Sequence, residues 1–384
     1  MIGKEIEFPS EYLTVLPCYL IHKQTFHRYI SEERNIYKTF DKWDALASIS
    51  DIDNSSVGRK TVSDACLLRA TAELREKIRK RDHLYSLERW LRKDVIENKH
   101  EGNVFFIKKV EPASLKLGQY REGTFNLFGF YARSKGTKQW NSITMRLRFL
   151  REMTKKIPAT KDTETVILEL LLRANGSEGD KAMNLSDLDE YLHKVEQLAL
   201  WMALTKPSAA EKSKKIFAFL DAISSPDVKA AKVEAISQED KSSLRESLVV
   251  SEFGSSASGK KLAIVLLKRL NAFVLAQQGK PEFTGEAYLE SILPLKATKK
   301  AWGEDWPDID ERNKWVNRLG NLAIVANKAT AREAKAPFSG KKQRYSNEVL
   351  PLTLGVGEMD IWNSDNLVKH LATLVALTDQ IWGL

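Results

Sequence analysis

The stretch SGKKLAIVLLKRLNAFVLAQQG, residues 258–279, constrains the fold most. Its apolar residues recur at helical spacing, Ser258 can cap its start, and Gly279 can end it. The same period runs through most of the chain. Helices are predicted over 62–97, 137–156, 162–174, 185–204 and 206–224. Ser186 is a good cap for the fourth of these, with Asp189 in its first turn. The polar stretch 224–243, rich in small residues, reads as a loop or a weakly packed helix. Two aromatic and β-branched segments edged by glycine, 102–110 and 123–132, read as strands of a small hairpin-like insert. The expected class is therefore mainly α with a small β insert.

Gly279 and Pro281 break the pattern, and the composition changes after them. Trp302, Trp306, Trp315, Trp362 and Trp382 are five of the nine tryptophans, and all follow the break. Two regions are expected: a mostly helical 1–280 of unknown role, and a distinct 281–384.

No run reaches the roughly 18 apolar residues of a membrane span. Glu5, Glu7 and Glu11 stand where a signal peptide needs a basic start and a clean apolar core, so a cytoplasmic location is expected. Cys18 and Cys66 lie far apart without a CxxC pair, so neither a disulfide framework nor a cysteine-based zinc site is supported. Phosphate-cradle, dinucleotide, zinc-protease, α/β-hydrolase and kinase signatures are all absent. The glycine- and serine-rich FGSSASGKK, 253–261, reads as a helix N-terminus.

The net charge of +9 suits a polyanion, and its placement is more informative than its total. The basic face of 62–97 reads more readily as solvated surface than as a nucleic-acid surface. Arg312, Lys314, Arg318, Lys328, Arg332, Lys335, Lys341, Lys342 and Arg344 face only Glu333 across 312–344, directly after the acidic EDWPDIDE of 304–311. Such segregation suits phosphate contacts better than a mixed, solvated surface does.

Seven landmarks then fall in a recognisable order. They are Glu290-Ser291-Ile292-Leu293-Pro294, Trp306, Arg318-Leu319-Gly320-Asn321-Leu322, Asn327, Phe338-Ser339-Gly340-Lys341, Tyr345 and Trp362. In this order and spacing the last quarter of the chain resembles the HNH-related C-terminal domain of GmrSD-type restriction endonucleases. That family carries a histidine where this chain has Ser291.

The resemblance implies a C-terminal α+β domain of ββα-metal type and a prokaryotic anti-phage restriction system acting on foreign, modified duplex DNA. It implies a divalent ion, Mg²⁺ or Mn²⁺, held by Glu290 and Asn327, with Asn321 orienting the loop and Asn327 also placed at the phosphate. Arg318, Lys328, Arg332, Lys341, Lys342 and Arg344 would contact nucleic acid. Ser291 occupies the general-base position, and a serine hydroxyl cannot deprotonate water without a base of its own. Loss of such a base typically costs ~10²–10⁴-fold. Cleavage is therefore expected to be weak or lost, and Ser291→His to raise it at least roughly tenfold on the same reasoning. His370 is the only other histidine after His193, with a structural or phosphate role expected. The alternative is a non-catalytic interaction subunit that pairs with a separate ParB-like NTPase; the signatures of that NTPase are not visible in this chain.

Overall fold

The computed structural model of the chain describes residues 111–125, 136–174, 183–224 and 233–384. The predicted helix 62–97, both cysteines, and the segment 102–110 with most of 123–132 lie outside the described residues. Among those described the fold is mainly α. Twelve helices accompany one two-stranded sheet.

The described residues form two compact units. The first draws on 111–147, 162–192 and 208–233. It contains α1 (Glu111–Glu122), the first part of α2 (Lys138–Lys156), α3 (Thr163–Ala174), the start of α4 (Leu185–Thr205) and α5 (Ala209–Ser224). Buried Leu117, Tyr120, Trp140, Ile143, Leu170, Leu188, Phe219 and Leu220 supply its core. Arg146 pairs with Asp189 at 2.8 Å within it. Helix α4 is capped by Asn184, whose Oδ1 accepts from the Asp187 N–H, and not by Ser186. Either residue is a competent cap. The helix begins one residue before Ser186, so Asn184 is the one in position.

The second unit comprises 148–161, 193–207 and 234–384. Helix α6 (Gln238–Val250) begins inside the stretch 224–243, read as a loop or a weakly packed helix, and takes up its last six residues. It buries only Leu244 and Leu248, which is why its periodicity is faint, and a reciprocal capping box between Ser237 and Asp240 starts it. Helix α7 (Ala257–Gln277) follows. Its cap is Ser256, whose hydroxyl accepts from the Gly259 N–H, and not Ser258. Gly279 adopts φ +68° just beyond its end, a left-handed conformation that costs glycine little.

Strand β1 (Tyr288–Ser291) pairs antiparallel with β2 (Leu322–Val325), with Glu290 opposite Ala323 and Ser291 opposite Leu322. Between them lie α8 (Lys299–Trp302) and α9 (Ile309–Trp315); α10 (Phe338–Tyr345), α11 (Pro351–Gly357) and α12 (Ser364–Trp382) follow. The two strands and α10 form a ββα arrangement, and α7 packs on both strands. Ile292, Leu293, Trp302, Trp306, Val325, Phe338, Trp362 and Leu367 make the core beneath the sheet. Gly320 is required by packing, since a Cβ there would meet the Leu371 Cβ of α12 at 2.8 Å. No helix among the described residues is long and apolar enough to cross a membrane.

His370 sits in this core, edge-on to Trp362 with centroids 5.9 Å apart. Burial lowers its pKa from 6.5 to about 4. The unfolded chain therefore binds one more proton than the folded one between these values. His370 should contribute no penalty above pH 6.5 and should progressively destabilise the fold as the pH falls toward 4. The loss approaches roughly 3 kcal/mol, since each tenfold difference in proton affinity between the two states is worth about 1.4 kcal/mol. Chemical denaturation across this pH range should show the acid limb, and His370→Phe should flatten it.

Candidate functional site

The site is built where β1 ends. Asn321, fully buried, fixes the turn that follows. Its Oδ1 accepts from the Leu293 N–H at 2.8 Å, and its Nδ2 donates to the carbonyls of Leu293 and Val316, both at 2.9 Å. The Trp362 indole N–H also donates to its Oδ1, at 3.2 Å. All four of its hydrogen bonds are internal, so Asn321 shapes the loop and has no donor left for a ligand.

Glu290, the penultimate residue of β1, points its carboxylate into α10. The side chain is 5% exposed. Lys341 Nζ lies 3.1 Å from its Oε1, Arg344 Nη2 donates to the carboxylate at 2.5 Å, and the Tyr345 hydroxyl donates at 2.9 Å. Lys341 also donates to the Ser291 carbonyl at 2.8 Å, tying α10 to the end of β1. Burial lowers the Lys341 pKa, with Glu290 opposing that change. Burial also lifts the Tyr345 phenol well above its usual range, reinforced by the adjacent Glu290 charge. For Arg344, burial alone would lower the pKa, but the hydrogen bond and charge of Glu290 outweigh it and raise it.

This arrangement does not fit a divalent ion. A metal ligand must present free lone pairs, whereas the Glu290 oxygens face two cations and a phenol. Asn327, the expected second ligand, is exposed in the turn after β2. Among the described residues no group of three His, Cys, Asp or Glu side chains is placed to hold a metal. His370, in the core against Trp362, supplies no base.

Ser291 lies on a cleft of about 920 Å³. Its lining includes Lys156, Lys261, Lys268, Lys296, Lys328 and Lys335 against Glu152, Glu286 and Glu290. Glu290 is neutralised from behind by α10, and Glu152 pairs with Lys156 at 2.5 Å. Burial alone would raise the Glu152 pKa; Lys156, with Lys268 and Arg151 nearby, outweighs it and holds the carboxyl low. The cleft is therefore net positive.

The six cations expected at nucleic acid separate on inspection. Lys328 lines the cleft and is exposed, and Arg332 is exposed nearby in sequence. Arg318 is half-buried and donates from Nε to the Lys314 carbonyl at 3.2 Å. Lys342 pairs with Asp360 at 2.9 Å. Lys341 and Arg344 hold Glu290, and Lys341, 1% exposed, cannot reach a phosphate. The sequence reading missed Lys156, Lys261, Lys268 and Lys296 as lining residues. Lys261, Ile264 and Lys268 do stand at i, i+3 and i+7, one face of α7, but nothing in the sequence says which face meets the strands.

Residues 238–377 match the family described as GmrSD restriction endonucleases, C-terminal domain. This segment belongs to that family. The match takes in α6 and α7 as well as the ββα elements. No curated protein matches the chain. The match supports a protein of restriction-endonuclease type, whose substrate would be DNA. In this GmrSD-type domain the two positions expected from the sequence to supply a base and a metal ligand hold a serine and a carboxylate already bound by cations.

Proposed function

We propose that this GmrSD-type domain belongs to a prokaryotic anti-phage restriction system, that it holds foreign, modified duplex DNA through its phosphates, and that its own hydrolysis is lost. The observation that carries this reading is the state of Glu290. Its carboxylate is satisfied by Lys341, Arg344 and Tyr345, while the cleft in front of it is lined by lysines. A site so arranged stabilises a bound anion but offers neither an open metal position nor a base. The reading also departs from a single-residue defect, because Ser291 and Glu290 are both out of role. A histidine at 291 would still have no metal-polarised phosphate to work on.

Binding is expected to be electrostatic and blind to sequence. The observed association constant should fall linearly with salt on logarithmic axes, at about 0.9 per phosphate contact. Lys328→Glu with Lys335→Glu should weaken binding equally across unrelated sequences, because phosphate contacts carry no sequence information. Fluorescence anisotropy with two unrelated duplexes at several salt concentrations measures both. Salt-independent association, or none, would move the reading to a non-catalytic subunit that acts by pairing with an NTPase partner.

A further inference from the structure

The cleft has a second wall that the family motifs do not contain. Lys156 stands at the C-terminal end of α2, and Lys261 and Lys268 stand on α7. Lys156 lies outside the matched segment 238–377 altogether. Lys261 and Lys268 are two turns apart on one helix face, with Ile264 between them. Seven residues of helix rise roughly 10 Å at 1.5 Å each. That distance spans about three nucleotide steps of a strand at 3.4 Å per step. The motif side of the cleft presents Lys296, Lys328 and Lys335, all exposed.

From this we infer that α7 forms a phosphate-binding wall of the cleft apart from the motif, so that one strand of the DNA backbone is gripped between Lys261 and Lys268 on one side and Lys328 and Lys335 on the other. The inference rests on the DNA reading above and adds residues to it. Its physical basis is charge. The acids in the cleft are largely compensated, Glu152 by Lys156 and Glu290 by Lys341 and Arg344. Lys268 donates one hydrogen bond from its ammonium to the Gly285 carbonyl at 3.3 Å, which uses one of its three N–H donors without removing the charge. Lys261 is exposed. An anion entering the cleft meets lysines of α7 and of the segments that follow β1 and β2.

The test uses the full chain and a short duplex of random sequence. Two double variants are compared with the parent: Lys261→Glu with Lys268→Glu, and Lys328→Glu with Lys335→Glu. Neutral versions, Lys261→Gln with Lys268→Gln, guard against misfolding by charge reversal, and thermal melting checks each protein. The wall variant is expected to bind about tenfold more weakly or worse, and its salt slope should be shallower by about 2, at ~0.9 per lost contact. The neutral pair should show the same change in slope. If both wall variants bind like the parent while the Lys328/Lys335 variant loses binding, the second wall is wrong and the DNA reading stands. If the parent shows no salt-dependent binding, the DNA reading fails and the wall with it.

Discussion

Replacing Glu290 by glutamine is expected to destabilise the second unit by about 3–5 kcal/mol, the usual cost of stranding one partner of a buried ion pair. Lys341 is 1% exposed and would lose the carboxylate that offsets its burial, leaving it beside an amide unable to compensate a charge. Arg344, with its side chain 23% exposed, can turn toward solvent and should contribute less. The direction separates two roles for the same carboxylate. A metal ligand clustered with other acids stores repulsion in the metal-free protein, so removing it leaves stability unchanged or raises it. A counter-ion does the reverse. The double replacement Glu290→Gln with Lys341→Met should recover most of the loss, because a buried pair exchanged for well-packed neutral groups is often neutral in stability. Urea denaturation of the parent, the single variant and the double variant in chelator reads this directly.

A second large effect is expected where the terminal helix meets α4. Glu196, fully buried, accepts from Arg269 Nε at 3.1 Å and Nη2 at 3.3 Å, and from the Trp382 indole N–H at 3.1 Å. Gln197 donates to the Trp382 carbonyl. Glu196→Ala would remove the carboxylate to which a guanidinium that is 6% exposed and an indole N–H both donate. A loss of about 3–5 kcal/mol is expected. Arg269→Met removes the guanidinium from the carboxylate, to which the indole still donates. The two single losses should not add in the double variant, since both remove one network. A thermal melt of the three variants measures this, and additive losses would show the groups to be independent.

The helices were legible because their apolar period is strong. The sequence reading placed 137–156, 162–174, 185–204 and 258–279 within a residue or two of the observed ends. The caps were less legible. Ser256 and Ser258 are chemically equivalent candidates, and the choice depends on where the backbone turns. Helix α6 hid because two leucines suffice to dock it. The order of Glu290, Ser291 and Asn321 around two strands was readable from residue types alone. The partners of Glu290 were not. Arg344 and Tyr345 stand 54 and 55 residues downstream. With Lys341 they occupy positions i, i+3 and i+4, one face of α10. Counted in a linear run, Lys341 looked like a free cation in a basic patch. In the fold it is a buried counter-charge, and the available cations include two, Lys261 and Lys268, from a helix that precedes the motif.

The central claim is that this GmrSD-type domain binds DNA but has lost hydrolysis at more than one residue. The most direct measurement is cleavage of a bound duplex by the parent and by Ser291→His, each in Mg²⁺, in Mn²⁺ and in chelator, with binding followed in the same samples. The account predicts that both proteins bind in all three conditions and that neither cleaves. Metal-dependent cleavage by the histidine variant would contradict it, since Glu290 would then be free to serve a metal and Ser291 alone would be the defect.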